Sequence, residues 1–80
     1  MTDQELLDAF TRILRSLLAD DAITLRAETT RGDVPEWDSF TYVNFIVAVE
    51  MELGVKFGVA DVESFQTVGD IVRKTRALLT

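Results

Sequence analysis

The 80-residue sequence contains no cysteine and no histidine. Without cysteine the chain can form no disulfide, no thiolate metal site and no cysteine nucleophile of its own. Without histidine it lacks the commonest general base and the commonest metal ligand. An enzyme of this length would have to work with carboxylates, hydroxyls and lysine alone. We therefore expect a protein that is not itself an enzyme and that holds no metal ion.

Proline and glycine are also scarce, with one and four residues respectively. Their scarcity leaves little room for long irregular segments. The hydrophobic fraction of 48% and the charged fraction of 28% are typical of a folded globular domain. Since the sequence has no repeats and no linker between differing compositions, we expect residues 1–80 to form a single domain.

Basic side chains are outnumbered, because 8 lysines and arginines face 14 acidic residues and leave a net charge of −6. A protein that binds nucleic acid needs a basic face, so this class is not expected. No apolar run approaches the roughly 20 residues that span a bilayer, and residues 1–5 lack the features of a signal peptide. We expect a cytoplasmic protein without membrane insertion, and we predict a monomer.

The spacing of apolar residues predicts a bundle of helices. Thr2 and Glu5 have the spacing of a capping box, and the helix that follows should end near residues 19–21. Its apolar stripe repeats at intervals of three and four residues and consists of Leu6, Leu7, Phe10, Ile13, Leu14, Leu17 and Leu18.

Three further helices are predicted in the second half of the chain. One should begin at Asp38 or Ser39 and stop at Gly54, with an inward face that includes Val43, Ile46, Val49 and Leu53. A brief helical turn is predicted over residues 61–65. The last helix should start at Thr67, which forms a second capping-box pattern with Asp70. The fold class is therefore an all-α four-helix bundle with three main helices and a short one.

A long connection from Ala22 to Asp38 separates the first two helices. A loop of this length in a small domain tends to be functional. We expect Leu25, Val34 and Trp37 to attach it to the core, because an unattached loop would cost too much entropy to keep ordered.

Ser39 lies where this loop meets the next helix. A serine at a helix start is solvent-accessible, and the unpaired backbone N–H groups there favour an attached phosphate. Taken alone, the triplet Asp38-Ser39-Phe40 is more typical of a plain N-cap serine. If Ser39 is esterified, its hydroxyl can no longer donate a hydrogen bond. We therefore predict that the carboxylate of Asp38 is the main cap of the helix.

The segment from Val34 to Val55 resembles the signature of acyl carrier proteins, in which an Asp-Ser-Leu-like triplet opens the second helix and acidic residues and a glycine close it. The resemblance covers nearly the whole chain, because the loop lengths and the capped last helix also fit the four-helix plan of the family. It implies that a phosphopantetheinyl transferase uses coenzyme A and magnesium to attach 4′-phosphopantetheine to Ser39, with Asp38 beside it.

The resemblance also implies the function and the partners. Acyl groups would be held as thioesters on the thiol of the arm, so the protein needs no cysteine or histidine of its own. An acyl-loading ligase or acyltransferase would supply them, and downstream synthase enzymes of fatty-acid, polyketide or other specialised acyl metabolism would use them.

Further site residues follow from the same resemblance. We predict a partner-binding surface on the second helix, formed by Phe40, Asn44, Val47, Glu50 and Met51. We predict an acyl pocket formed by Ile46, Phe57 and Phe65. The alternative for the apolar members of both sets is an ordinary place in the core, and the alternative for Glu50 is a solvated helix face.

The sequence departs from the fatty-acid-synthesis pattern close to Ser39. Phe40 replaces the usual leucine, and Thr41 and Asn44 stand where acidic residues are usual. Trp37 replaces a small or aliphatic residue before the triplet. These differences indicate a specialised carrier whose partner docks less through charge.

Two other functions remain open at this point. The first is an aminoacyl or peptidyl carrier, although peptidyl carriers typically have two glycines shortly before the serine, where this chain has Pro35-Glu36-Trp37. The second is an unmodified helical module that binds a protein partner through the apolar face of its second helix.

Overall fold

The structure is a computed structural model in which residues 1–79 are described. It contains four α-helices: α1 over Asp3–Leu18, α2 over Ser39–Leu53, α3 over Val59–Ser64 and α4 over Val68–Leu79. A 3₁₀ turn over Arg31–Asp33 interrupts the long first loop. The predicted all-α architecture, with three main helices and a short one, is confirmed. No helix within residues 1–79 has the length and apolar character needed to span a membrane.

Helix α1 starts and ends at its predicted signals. The N–H of Glu5 donates to Thr2 Oγ1 at 3.1 Å, and the N–H of Thr2 donates to Glu5 Oε1 at 2.8 Å. These bonds hold the pKa of Glu5 below its ordinary value, with the backbone bond at Thr2 as the largest cause. At the other end the N–H of Ala19 donates to the carbonyl of Arg15, and Ala19 itself takes a left-handed conformation with φ of 52°.

The core lies where α1, α2 and α4 meet the inner side of the long loop. At its centre the rings of Phe10 and Phe45 pack edge to face, with centroids 5.6 Å apart. The other buried apolar side chains of the helices are Leu6, Ala9, Ile13, Leu14, Tyr42, Ile46, Val49, Val68, Ile71 and Val72.

Two details of the predicted helices are wrong. Val43 is 53% exposed, because Tyr42, Phe45, Ile46 and Val49 set the inward face of α2 and turn Val43 to its edge. The short helix begins at residue 59 and not at 61. The carboxylate of Asp61 accepts the N–H of Gly58 at 3.2 Å and so stabilises an earlier start.

The first turn of α4 holds the long loop in place. The N–H of Val68 donates to the carbonyl of Thr29 at 2.8 Å, and the N–H of Gly69 donates to the carbonyl of Ala27 at 2.7 Å. These N–H groups have no partner within their own helix, so the loop carbonyls satisfy them. Leu25, Val34 and Trp37 are buried at the core side of the loop, as predicted.

The Thr67–Asp70 capping box is also present. The N–H of Asp70 donates to Thr67 Oγ1 at 3.2 Å, and Asp70 Oδ2 accepts the N–H of Thr67 at 3.1 Å. The pKa of Asp70 is lowered, chiefly by the hydrogen bond from the backbone N–H of Gln66 and next by that of Thr67.

The close approach of the loop to α4 predicts the effect of Gly69→Ala. A Cβ at this position would lie 2.8 Å from the carbonyl oxygen of Ala27, which is backbone and cannot turn aside. We expect the free energy of unfolding in urea to fall by about 1–3 kcal/mol. Gly32→Ala is the matched control, because its Cβ would meet only Thr30 Oγ1 at 3.7 Å and should change the stability by less than about 0.5 kcal/mol. Equal losses in both variants would contradict the explanation.

Candidate functional site

Trp37 fixes the end of the long loop against α2. Its indole is 4% exposed, and its ring centroid lies 5.2 Å from that of Phe45 and 6.2 Å from that of Tyr42. Its backbone N–H donates to the carbonyl of Val34 at 3.0 Å. The indole Nε1 is buried without a hydrogen-bond partner among residues 1–79. The buried indole therefore fixes the position at which the chain leaves the core for Asp38 and Ser39.

Asp38 is the N-cap of α2, as predicted. Its Oδ1 accepts the N–H of Thr41 at 2.9 Å, and its backbone carbonyl accepts the N–H of Tyr42 at 2.8 Å. The hydrogen bond from the backbone of Thr41 is the largest cause that lowers the pKa of Asp38. The cap is therefore an ionised carboxylate at neutral pH, placed where the helix dipole favours negative charge.

Ser39 is the first residue of α2 and is exposed to solvent. Its hydroxyl forms no hydrogen bond with any of residues 1–79, since the neighbouring carboxylate already caps the helix. The alternative that Ser39 is a plain N-cap serine is therefore wrong. A phosphate joined to this oxygen would lie beside the free N–H groups of the first turn, which suit a phosphate ester.

The outward side of α2 is apolar over three turns. Phe40, Val43, Val47 and Met51, which we call the outer strip, are 77%, 53%, 44% and 80% exposed. The core alternative for Phe40, Val47 and Met51 is therefore wrong. Residues 40–49 include no charged side chain, and Asn44 is exposed in their midst.

The two acidic residues at the end of α2 already have partners inside the protein. Glu50 Oε2 accepts the N–H of Phe57 at 2.7 Å, and Glu52 pairs with Arg12 at 2.7 Å. Glu50 therefore stabilises the segment that leads into α3 as well as lying at the end of the outer strip. Its predicted contact with a partner stays a prediction.

A groove of about 390 Å³ runs between α2 and α3. Its lining consists of Val43, Ile46, Glu50, Lys56, Phe57, Val59, Val62 and Glu63. Ser39, Val43 and Ile46 are spaced at i, i+4 and i+7, so they share one face of α2. The groove thus begins one turn, about 6 Å of helix rise, beyond the exposed hydroxyl.

The structure brings together two of the three residues predicted to form an acyl pocket. Ile46 and Phe57 line the groove, whereas Phe65 is not among its lining residues. Phe65 packs edge to face against Phe57, with centroids 5.6 Å apart, and lines a separate inner cavity of about 10 Å³. This inner cavity is lined by Trp37, Tyr42 and Phe65 together with residues of α4 and of the long loop.

Tyr42 lies beside the candidate site, although no sequence pattern predicted a role for it. Its hydroxyl donates to the carbonyl of Val62 in α3 at 2.8 Å, and the guanidinium of Arg31 lies 4.3 Å from the ring centroid. Burial raises the pKa of Tyr42, partly offset by the charge of Arg31, so the phenol keeps its proton and donates at neutral pH. The one feature of the sequence that could have pointed to Tyr42 was its position three residues after Ser39, on the same helix.

Another, larger depression of about 590 Å³ lies against α1 and the start of the long loop. None of its lining residues belongs to α2 or α3, and charges of both signs line it. Within residues 1–79 no three acidic side chains cluster as they would around a metal ion. Ser39 and the groove beside it therefore form the candidate site: an exposed hydroxyl at a helix start, followed by an apolar channel.

A helical bundle with this arrangement has a counterpart among solved structures. The solution NMR structure of a holo acyl carrier protein from Geobacter metallireducens superposes on this chain with a TM-score of 0.84. The two are 36% identical, and the alignment covers 91% of this chain and 84% of the other.

The chain therefore belongs to the acyl carrier protein family. No family model matches the sequence, and neither does any curated protein.

From the Asp38 cap we predict how the stability of the protein responds to substitution and to low pH. Asp38→Ala should lower the thermal midpoint by a few degrees, because the N–H of Thr41 loses its acceptor. Asp38→Asn keeps an acceptor and should change the midpoint less. Carbon NMR of the Asp38 carboxyl should give a pKa below the ordinary value of 3.8.

The sign of the pH effect follows from the lowered pKa. Asp38 stabilises the folded state above its unfolded pKa, and this contribution is lost as the pH falls through the lower folded pKa. The stability gap between wild type and Asp38→Asn should therefore change as the pH drops below about 4. A gap that is constant from pH 7 to pH 2 would contradict an ionised cap.

Proposed function

We propose that this protein carries acyl groups as thioesters on a 4′-phosphopantetheine arm attached to Ser39. The observation that carries the proposal is the geometry at the start of α2. The Ser39 hydroxyl is exposed and unpaired, because Asp38 caps the helix in its place. Membership of the acyl carrier protein family, whose matched relative is a holo form, supports the same conclusion.

Attachment requires the Ser39 hydroxyl to act as a nucleophile toward coenzyme A. In the proposed reaction a phosphopantetheinyl transferase with magnesium joins the serine oxygen to the phosphate that bears pantetheine. The hydroxyl loses its proton and the nucleotide portion leaves. The arm then supplies a thiol for thioester formation, and this chain supplies only the attachment point, the cap and the surfaces around them.

The groove between α2 and α3 is the proposed place for the acyl group. Ile46 lines it on the face of α2 that carries Ser39, and Phe57 lines it from the segment that leads into α3. The lining is mostly apolar at its α2 side. Phe65 stands behind Phe57 and supports it. An acyl chain in the groove would remove apolar surface from water on both sides.

The outer strip, together with Asn44 and Glu50, is the proposed docking surface for the transferase, the acyl-loading enzyme and the enzymes that use the acyl group. Its first residue, Phe40, is next to Ser39, so a partner seated there reaches the arm. Exposed apolar patches of this kind on a small protein mark interaction sites. The absence of charge from residue 40 to residue 49 favours docking by apolar burial.

Modification of Ser39 tests the carrier function directly. Incubation with coenzyme A, magnesium and a broad-specificity phosphopantetheinyl transferase should give one phosphopantetheine adduct by intact mass spectrometry. Ser39→Ala should abolish the adduct, whereas Ser16→Ala, which alters an exposed serine on α1, should leave it unchanged.

The same experiment separates the carrier from an unmodified interaction module, which the exposed outer strip also favours. Folded wild-type protein that takes no adduct would support the module. An aminoacyl or peptidyl cargo would give the same first adduct. It would be distinguished by the ligase that loads the holo form.

The outer strip also predicts how the transferase recognises the protein. Met51→Ala should raise the KM for phosphopantetheine transfer several-fold, because Met51 is 80% exposed at the end of the strip. Leu17→Ala, a 41% exposed position on α1, should have little effect. The wild-type KM should change little between low and moderate salt, since apolar contacts are not screened. A steep rise of KM with salt would contradict apolar docking.

A further inference from the structure

Three basic side chains have neither an ion pair nor a side-chain hydrogen bond within residues 1–79. Five of the lysines and arginines already have acceptors inside the protein, and these are Arg12, Arg15, Arg73, Lys74 and Arg76. The other three are Arg26, Arg31 and Lys56. These three are the cations with which an added anion could pair, so their positions relative to Ser39 decide what they can do.

Arg31 is the one of the three that lies at the start of α2. Its guanidinium carbon is 4.3 Å from the centroid of the Tyr42 ring. Tyr42 follows Ser39 by three residues, and side chains at this spacing on a helix have Cβ atoms roughly 5–6 Å apart. Helical side chains also lean toward the N-terminal end, so the Tyr42 ring covers the turn that Ser39 opens. The exposed Arg31 side chain over this ring is therefore close to the first turn of α2.

Two successive turns of the long loop bring Arg31 to this place. The N–H of Val34 donates to the carbonyl of Arg31 at 3.1 Å, and the N–H of Trp37 donates to the carbonyl of Val34 at 3.0 Å. Each bond folds the chain back within three residues and so keeps Arg31 near Trp37. The Trp37 ring also packs near Tyr42, with centroids 6.2 Å apart. Arg31, Trp37 and Tyr42 accordingly line the same inner cavity.

The other two cations lie elsewhere. Lys56 follows the opposite end of α2 and lines the groove together with Glu50, about 16 Å of helix rise from Ser39. Arg26 lines a separate depression of the long loop, which three carboxylates also line and to which Ser39 does not belong. Arg31 is therefore the cation best placed to meet a group attached to Ser39.

A cation near the start of α2 would offset a repulsion that the arm creates. A phosphodiester on Ser39 is negatively charged, and the Asp38 carboxylate that caps the helix belongs to the preceding residue. Two anions so close together repel each other. The backbone N–H groups of the first turn offset part of this repulsion. A guanidinium offsets more, because it can form two parallel hydrogen bonds with phosphate oxygens.

We propose that Arg31 binds the phosphate of the arm on Ser39 and thereby positions the arm at the start of α2. The Tyr42 ring holds the guanidinium in place before the arm is attached, so less side-chain freedom is lost when the ion pair forms. The inference rests on the proposed function, because the phosphate comes only with the arm. It assigns Arg31 a positioning role and no step of the attachment chemistry.

The test compares the stability of the apo and holo forms of three proteins. Wild type, Arg31→Gln and Arg31→Lys are each converted with coenzyme A, magnesium and a broad-specificity transferase, and conversion is confirmed by intact mass. The thermal midpoint of each apo form is then subtracted from that of its holo form. The contact between Arg31 and the Tyr42 ring is lost in both forms of Arg31→Gln, so its own contribution to stability cancels in this difference.

Arg26→Gln is the matched control. It removes an arginine of the same loop that likewise has no ion pair within residues 1–79, and it changes the net charge by the same amount. A general effect of net charge would appear equally in both glutamine variants. A contact with the phosphate would appear only at Arg31.

The difference between holo and apo midpoints should be about 2–4 °C smaller in Arg31→Gln than in wild type, which is the size expected of one exposed ion pair in a domain of this length. Arg31→Lys keeps the charge but not the paired donors, and it should fall between the two. Arg26→Gln should match wild type. An equal difference in wild type and Arg31→Gln would overturn the inference, and so would an equal fall in Arg26→Gln.

Phosphorus NMR of the folded holo proteins gives a second measurement that involves no unfolding. The resonance of the arm should shift in Arg31→Gln and stay in place in Arg26→Gln, and an unmoved resonance in Arg31→Gln would contradict the proposed contact. A protein that takes no adduct at Ser39 would overturn the proposed function and this inference with it. An adduct whose stability difference is the same in wild type and Arg31→Gln would overturn this inference alone.

Discussion

The packing of Trp37 against Phe45 is the contact on which the site depends. The long loop over residues 19–38 precedes α2, and without an anchor at its end the start of the helix would have no fixed place. The buried indole supplies that anchor one residue before the cap and two before Ser39. Since aromatic side chains contribute large buried areas and defined ring geometry, this single side chain fixes both position and direction.

Helix α2 has three faces with different surroundings. The inward face, which includes Phe45 and Val49, supplies the core. The outward face presents the outer strip, and the third face carries Ser39 and continues into the groove. Because these faces are set by helical periodicity, the proposed attachment and docking surfaces and the core-packing surface lie on different sides of the helix. Val43, at the edge of two faces, is shared by the strip and the groove.

Carboxylates at helix starts are a second constraint that the protein uses repeatedly. Glu5, Asp38 and Asp70 each accept backbone N–H groups at the beginning of α1, α2 and α4, and each has a lowered pKa. All three stabilise the folded state while ionised and lose that contribution as the pH falls through their folded pKa values. The acidic composition is thus in part a set of helix caps.

Local signals in the sequence determined the helices, the caps and the residue proposed for attachment. Periodicity located α1, α2 and α4, and the pairs Thr2–Glu5 and Thr67–Asp70 marked helix starts because capping joins residues only three apart. Ser39, the Asp38 cap and the family resemblance were equally local, since the signature is one continuous segment. Of the three residues predicted to form an acyl pocket, Ile46 and Phe57 meet in the groove and Phe65 does not, and a role of the groove in holding an acyl group stays a prediction.

Tertiary structure alone decided how the surfaces around Ser39 are divided. Val43 lies at the edge of the inward face because of the side on which α2 packs against α1. The hydrogen bond between α2 and α3 forms because the Tyr42 hydroxyl meets the Val62 carbonyl, 20 residues away. Short sequence patterns report the helix to which a residue belongs. They do not predict which distant carbonyl will accept a hydrogen bond from a side-chain hydroxyl, because that bond forms only once the helices are packed together.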